Sequence, residues 1–212
     1  MALEKNLHHH RKSYERHELT EEQVATDPFI QFNEWMEAAL ESDVYEPNAM
    51  VLSTATTDGK PSARVVLLKS YSKNGLVFFT NYSSRKGKEI AENPHASLLF
   101  FWDKLERQVR IEGILKKVSE EESENYFQSR PFESRLSAIV SPQSTVVPGR
   151  EYLESELEKI KNNTYTPRPS NWGGYILQPV CFEFWQGRAN RLHDRLVFEW
   201  TNGNWQLKRL AP

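Results

Sequence analysis

Residues 50–80 read MVLSTATTDGKPSARVVLLKSYSKNGLVFFT, and their pattern decides the fold. Three β-rich runs, 50–54, 64–69 and 76–80, are separated by the turn signals Asp58-Gly59 and Asn74-Gly75. A glycine after Asp or Asn supplies the positive φ of a tight reversal, so runs flanking such pairs read as antiparallel hairpins.

Further runs of the same kind follow at 96–102 and 109–118, and the C-terminal part returns to strands at 174–186, 195–200 and 205–210, with a turn at Asn202-Gly203. Helices are inserted between them rather than alternating with them. Asp27-Pro28 is a helix start, and Phe29, Phe32, Trp35, Met36, Ala39 and Leu40 recur at helical spacing after it. Pro94 closes a short helix over 84–93, and Ser119 with Glu122 reads as a capping box for a helix toward Gln128. Pro131 opens another helix to about Val140, and Leu153, Leu157 and Ile160 mark one more. The pattern predicts a mainly β (α+β) chain: an antiparallel barrel with peripheral helices, not a doubly wound parallel sheet. One domain is expected over 28–212, preceded by an arm over 1–27 without apolar period.

Composition excludes several classes. With 27 Lys and Arg against 29 Asp and Glu, nothing predicts a nucleic-acid surface. The longest apolar runs are too short to span a bilayer, and residues 1–17 lack an apolar targeting segment, so a soluble cytoplasmic protein is the expectation. The lone Cys181 sits between Val180 and Phe182 and reads as core packing. His8-His9-His10 lacks the support of a metal site, and none is assigned. No phosphate-binding glycine loop and no nucleophile elbow is present.

Several scattered features suit phosphate. If residues 191–200 are extended, alternation puts Arg191, His193 and Arg195 on one face and Leu192, Leu196, Phe198 and Trp200 on the other. Such a cationic row suits a phosphorylated small molecule; a solvated strand face is the alternative. Asp194 then falls on the apolar face, which asks for a reason. Tyr126, Arg130 and Ser134, four apart, would align three donors on one helix side, although Pro131 interrupts it and two ordinary capped helices explain the spacing as well. Ser83-Ser84-Arg85-Lys86 opens a helix with hydroxyls and cations, a phosphate seat or simply a capped solvated turn. Arg64 and Lys69 bracket the apolar 65–68, so that strand is expected to be buried on both faces, with its two cations pointing to opposite sides unless a bulge intervenes.

Taken together, Arg64-Val65-Val66-Leu67-Leu68-Lys69, Phe79-Thr80-Asn81, Ser84-Arg85-Lys86, Glu106-Arg107-Gln108-Val109, Phe184-Trp185-Gln186-Gly187, Arg191-Leu192-His193-Asp194-Arg195 and Arg209-Leu210-Ala211-Pro212 closely resemble the pyridoxine/pyridoxamine 5′-phosphate oxidase family, from about Arg11 to the last residue. The resemblance implies a split β-barrel homodimer with flavin mononucleotide (FMN) at the subunit interface and a dimerisation and substrate segment over about 170–212. The implied reaction oxidises pyridoxamine or pyridoxine 5′-phosphate to pyridoxal 5′-phosphate, with dioxygen reduced to hydrogen peroxide. It assigns the flavin to Arg64, Val65, Val66, Leu67, Leu68, Lys69, Phe79, Thr80, Arg85, Lys86, Gln108, Gln143, Ser144, Trp185 and Arg195. The substrate phosphate falls to Lys69, Tyr126, Arg130 and Ser134. Arg191 and His193, the implied catalytic pair, face the substrate, and Arg11, Tyr14 and Glu46 belong to an arm and its surroundings that close over it. A flavin reductase of the same fold would keep the flavin set but lose Tyr126, Arg130, Ser134, Arg191 and His193. A non-catalytic flavin or pyridoxal phosphate binder is the other alternative.

Overall fold

Asp27 begins the first element as expected. In the computed structural model, which describes residues 8–9, 13–163 and 165–212, its side chain accepts the Phe29 N–H (2.9 Å) and caps helix α1 (Pro28–Leu40). Pro28 occupies the first turn, where a missing N–H costs nothing. The helical spacing turns Phe32, Trp35, Met36 and Ala39 inward, and burying Phe32 and Met36 contributes about 1.5–3 kcal/mol each.

The strands are β1 (Ala49–Ala55), β2 (Pro61–Leu67), β3 (Ser70–Ser72), β4 (Gly75–Asn81), β5 (His95–Trp102), β6 (Arg107–Lys117), β7 (Trp172–Gln186), β8 (Asp194–Thr201) and β9 (Asn204–Arg209). Four further helices are α2 (Arg85–Glu92), α3 (Glu120–Ser129), α4 (Phe132–Val140) and α5 (Arg150–Ile160). The strand order is β2-β1-β5-β6-β7-β4-β3, with β8 beside β7 and β9 beside β8. The pairs β1–β2, β1–β5, β3–β4, β4–β7, β7–β8 and β8–β9 are antiparallel, as the hairpin signals predict. No helix among the described residues is long and apolar enough to cross a membrane.

The chain divides into two units. The first comprises the described residues up to Pro47, Phe100–Arg110 and Cys181–Pro212. Its core is aromatic: Phe32 meets Phe100 at 5.3 Å, Trp35 meets the edge of Phe184 at 5.3 Å, and Phe29 meets Phe182 at 5.1 Å. The second comprises Asn48–Leu99 and Ile111–Val180. Period-2 burial in β1 points Met50, Leu52 and Thr54 inward, and Leu76, Phe78, Leu98, Ile111, Phe127, Tyr175 and Leu177 complete that core. Gly75 makes the β3–β4 turn at φ +140°, where a Cβ would lie 2.1 Å from the Leu177 carbonyl oxygen.

Three expectations fail here. Strand β2 is not buried on both faces: it stands at the end of the strand order, and Val65 is 65% exposed. A four-residue apolar run does not distinguish a covered central strand from an edge strand with an open face. The short β3 was absent from the predicted strands, because Ser70-Tyr71-Ser72 shows too little pattern to register. Residues 191–193 are not extended. Ala189–Arg191 forms a 3-10 turn, Asn190 and Arg191 have φ of 56° and 62°, and β8 begins only at Asp194. Strand parity therefore does not apply to Arg191 and His193, and Leu192 is 71% exposed rather than packed with Leu196 and Phe198. Asp194 has its reason: its carboxylate accepts the Leu19 N–H (3.1 Å) and pairs with Arg209 (2.8 Å). Cys181 is half-buried.

Candidate active site

In the second unit a cavity of about 680 Å³ gathers residues from distant parts of the chain. Its walls include Arg64, Val65, Val66, Leu67 and Lys69 from β2 and its exit, Phe79 and Thr80 from β4, Lys86 from α2, Tyr126, Arg130, Ser134, Gln143 and Trp172. Leu68 is buried in the core, and Arg85 and Ser144 lie outside the lining.

Local backbone explains why the parity objection to Arg64 and Lys69 dissolves. The β1–β2 ladder ends at Leu67; the Leu68 N–H then donates to the Asn48 carbonyl (2.9 Å) and the Lys69 N–H to the Val77 carbonyl (2.8 Å). The chain has changed partners, so both cations line one cavity. Likewise Tyr126, Arg130 and Ser134 do not share a helix. Pro131 forces Arg130 into an extended conformation (ψ 150°) between α3 and α4. The bend preserves the convergence that the spacing suggested.

Arg130 is the outstanding group. Its guanidinium lies 4.8 Å from the Trp172 ring, its Nη1 is buried without a hydrogen-bond partner, and burial pushes its pKa down. A buried, unpaired cationic donor costs free energy until an anion meets it. Phe79 and Tyr126 stack beside it at 3.9 Å.

A second basic corner lies in the same cavity. Lys86 Nζ donates to Gln143 Oε1 (2.9 Å) and Thr80 Oγ1 (3.1 Å). Burial, with a smaller contribution from Arg64, pushes its pKa down to about 8. Arg64 donates through Nη1 to the Leu52 carbonyl (3.1 Å) and Thr54 (2.6 Å), and through Nη2 to Glu89 (3.1 Å).

Glu89 was missed in the sequence. It is nearly fully buried and accepts from Thr54 (2.5 Å), Ser62 (2.6 Å), Arg64 and Arg85 (2.8 Å). Burial alone would raise its pKa, but these hydrogen bonds outweigh it and hold the carboxyl down to about 2. The carboxylate fixes the Arg64 fork, and the one local signal for it was the four-residue spacing from Arg85.

The first unit carries its own cluster. Tyr14 meets Trp185 edge-on at 5.8 Å and His193 at 5.9 Å, and Trp185 lies 4.7 Å from His193. His193 Nδ1 accepts the Arg188 N–H (3.1 Å), which leaves Nε2 as the N–H of the neutral ring. Burial and the nearby Arg191 push its pKa down, favouring that neutral form. Arg195 donates to the buried Glu183 (2.8 Å) and to the Ala211 carbonyl (2.8 Å). Gln108 sits half-buried in β6, Arg191 and Glu46 are exposed, and Arg11 lies outside the described residues.

The family model described as pyridoxamine 5′-phosphate oxidase matches residues 36–164, and that described as pyridoxine 5′-phosphate oxidase C-terminal dimerisation region matches residues 172–212. The chain belongs to the pyridoxamine 5′-phosphate oxidase family. A pyridoxine/pyridoxamine 5′-phosphate oxidase from Gloeothece citriformis is 53% identical over 95% of this chain and 96% of its own length. Among solved structures, PhzG from Burkholderia lata, in complex with tetrahydrophenazine-1-carboxylic acid, superposes with a TM-score of 0.86 at 32% identity, covering 90% of this chain and 95% of that one. An FMN-binding protein related to pyridoxamine 5′-phosphate oxidase, from Nostoc punctiforme, superposes with a TM-score of 0.70 at 17% identity, covering 89% of this chain and 100% of that one. The antiparallel barrel with peripheral helices expected from the strand and turn pattern, and the split barrel that the resemblance implied, agree with the fold of this family.

Proposed function

We propose that the chain is an FMN-dependent oxidase that converts pyridoxamine 5′-phosphate and pyridoxine 5′-phosphate to pyridoxal 5′-phosphate, with dioxygen as the electron acceptor. Beyond family membership, one observation carries this reading. The buried, unpartnered Nη1 of Arg130 shares a cavity with Lys69, Tyr126 and Ser134, a donor set that suits a phosphate.

The residues present also fit a flavin phosphate. Lys86, held by Gln143 and Thr80, and Arg64, oriented by Glu89, supply two charges in the same cavity. Val65, Val66, Leu67 and Phe79 offer apolar wall to a ring; Arg85, Ser144, Gln108, Trp185 and Arg195, outside that lining, join the proposed cofactor set on the family resemblance alone. When bound, the flavin supplies the hydride acceptor and passes its electrons to dioxygen, giving hydrogen peroxide.

The chain's own work is positioning. The phosphate clasp of Lys69, Tyr126, Arg130 and Ser134 acts as a remote handle whose binding energy orients the reacting carbon. Neutral His193 donates from Nε2, Arg191 brings positive charge to the substrate, and Arg11, Tyr14 and Glu46 enclose it. We assign the active form to a homodimer with the cofactor at the subunit interface. The matched dimerisation region supports the homodimer. Tetrahydrophenazine-1-carboxylic acid carries a carboxylate but no phosphate, and the four donors Lys69, Tyr126, Arg130 and Ser134 around one cavity offer more than a two-oxygen carboxylate needs, which favours the phosphorylated substrates over a ligand of that kind.

Purified protein is expected to show flavin absorbance and to form aldehyde and peroxide in equal amounts from pyridoxamine 5′-phosphate. Flavin absorbance without peroxide would favour a reductase or carrier instead.

The Lys86 pKa predicts a pH dependence. Its ammonium is charged below about 8 and lost above it, so anion binding weakens as pH rises. Fluorescence titration of FMN into flavin-stripped protein should give a dissociation constant about tenfold higher at pH 9 than at pH 7. A change of less than about twofold would remove Lys86 from the phosphate site.

A further inference from the structure

Glu106 stands in the turn before β6 at φ 55°, a conformation that non-glycine residues rarely take, and it is 3% exposed. Its backbone carbonyl accepts the Gly187 N–H (2.8 Å) and the Gln186 side-chain amide (3.2 Å), which fixes the turn. Its carboxylate reaches the arm: Oε2 accepts the backbone N–H groups of both Glu15 (3.0 Å) and Arg16 (3.2 Å).

Those two amides directly follow Tyr14, whose ring lies against Gly187 so closely that a Cβ there would sit 2.7 Å from Tyr14 Cγ. Tyr14 in turn meets Trp185 and His193. Other ties hold the arm further along: Leu19 to Asp194 and Arg209, and the His17 carbonyl to Arg188. Glu106 is the tie next to Tyr14. A charged acceptor for two backbone donors is among the stronger hydrogen-bonding arrangements available, and here it is buried.

We propose that Glu106 is a positioning residue. Its buried carboxylate pins the arm at Glu15 and Arg16, and thereby sets Tyr14 over Trp185 and His193. The inference rests on the proposed oxidase reading for its effect on turnover, because Tyr14 touches substrate only in that reading.

Glu106→Ala should raise KM for pyridoxamine 5′-phosphate about tenfold or more, with kcat within about threefold and bound flavin unchanged. Glu106→Gln should recover most of the loss, since one amide oxygen can accept both N–H groups. Combining Glu106→Ala with Tyr14→Ala should be no worse than the poorer single variant, because both act through the same ring. Unchanged KM in Glu106→Ala, a Gln variant as impaired as the Ala variant, or additive losses would each overturn the proposal.

Amide exchange supplies a readout independent of activity. Glu15 and Arg16 should exchange at least about tenfold more slowly than in unstructured peptide in the wild-type protein, and lose that protection in Glu106→Ala. Unprotected amides in the wild type would refute the clasp even if the variant does not fold. A wild-type protein that oxidises neither substrate would sink the oxidase reading while leaving the exchange result to decide this one.

Discussion

Arg130→Ala is expected to lower kcat/KM for pyridoxamine 5′-phosphate by about 100- to 1000-fold while leaving flavin bound. A hydrogen bond to a charged partner is worth about 1.5–3 kcal/mol, and a guanidinium fork facing a phosphate offers two of them. The loss should appear in kcat as well as KM, because the phosphate is a remote handle whose binding energy orients the reacting end. A second readout separates this role from a structural one. Nη1 is buried without a hydrogen-bond partner from the protein, so removing the charge should leave the melting temperature of flavin-loaded protein, measured without substrate, unchanged or raise it. A lowered melting temperature with unchanged KM would show that Arg130 serves packing against Trp172 instead.

The second large effect divides two arginines of the C-terminal segment. Arg191→Ala is expected to lose about 100-fold in turnover, because in the proposed reading its charge faces the substrate, and to retain flavin, because Arg191 is exposed on a left-handed turn outside the cavity lining. Arg191→Gly offers a control that relaxes the backbone at the same position. Arg195→Ala should mainly weaken flavin retention and also destabilise the fold. It leaves Glu183, 3% exposed, with one fewer cation beside Arg110, and breaking a buried pair costs about 3–5 kcal/mol. Some of that cost will be screened, since the Arg195 side chain is 29% exposed. Equal flavin loss in both variants would refute the division.

Much of this architecture was legible because its signals are local. Asp27-Pro28, Ser84 and Ser119 each cap the helix they were expected to cap, and Asn74-Gly75 and Asn202-Gly203 each turn a hairpin. What stayed hidden depends on partners far away in the chain. Glu89 is explained by Thr54, 35 residues before it, and Glu106 by the arm, about 90 residues before it. The convergence of Arg64 with Lys69 depends on a change of hydrogen-bond partner that no side-chain period reports. The extended reading of 191–193 failed for a related reason. Alternation of residue types resembles a strand even where positive φ at Asn190 and Arg191 breaks it.

Strand β2 lines the cavity and also stands last in the strand order. A terminal strand with Val65 turned outward is where a sheet can recruit foreign backbone, so this cavity wall is also an adhesive margin. Two features blunt it. Pro61 removes one donor at the strand's first residue, and the strand is only seven residues long. Replacing Pro61 would invite fibrous or amorphous self-association during refolding.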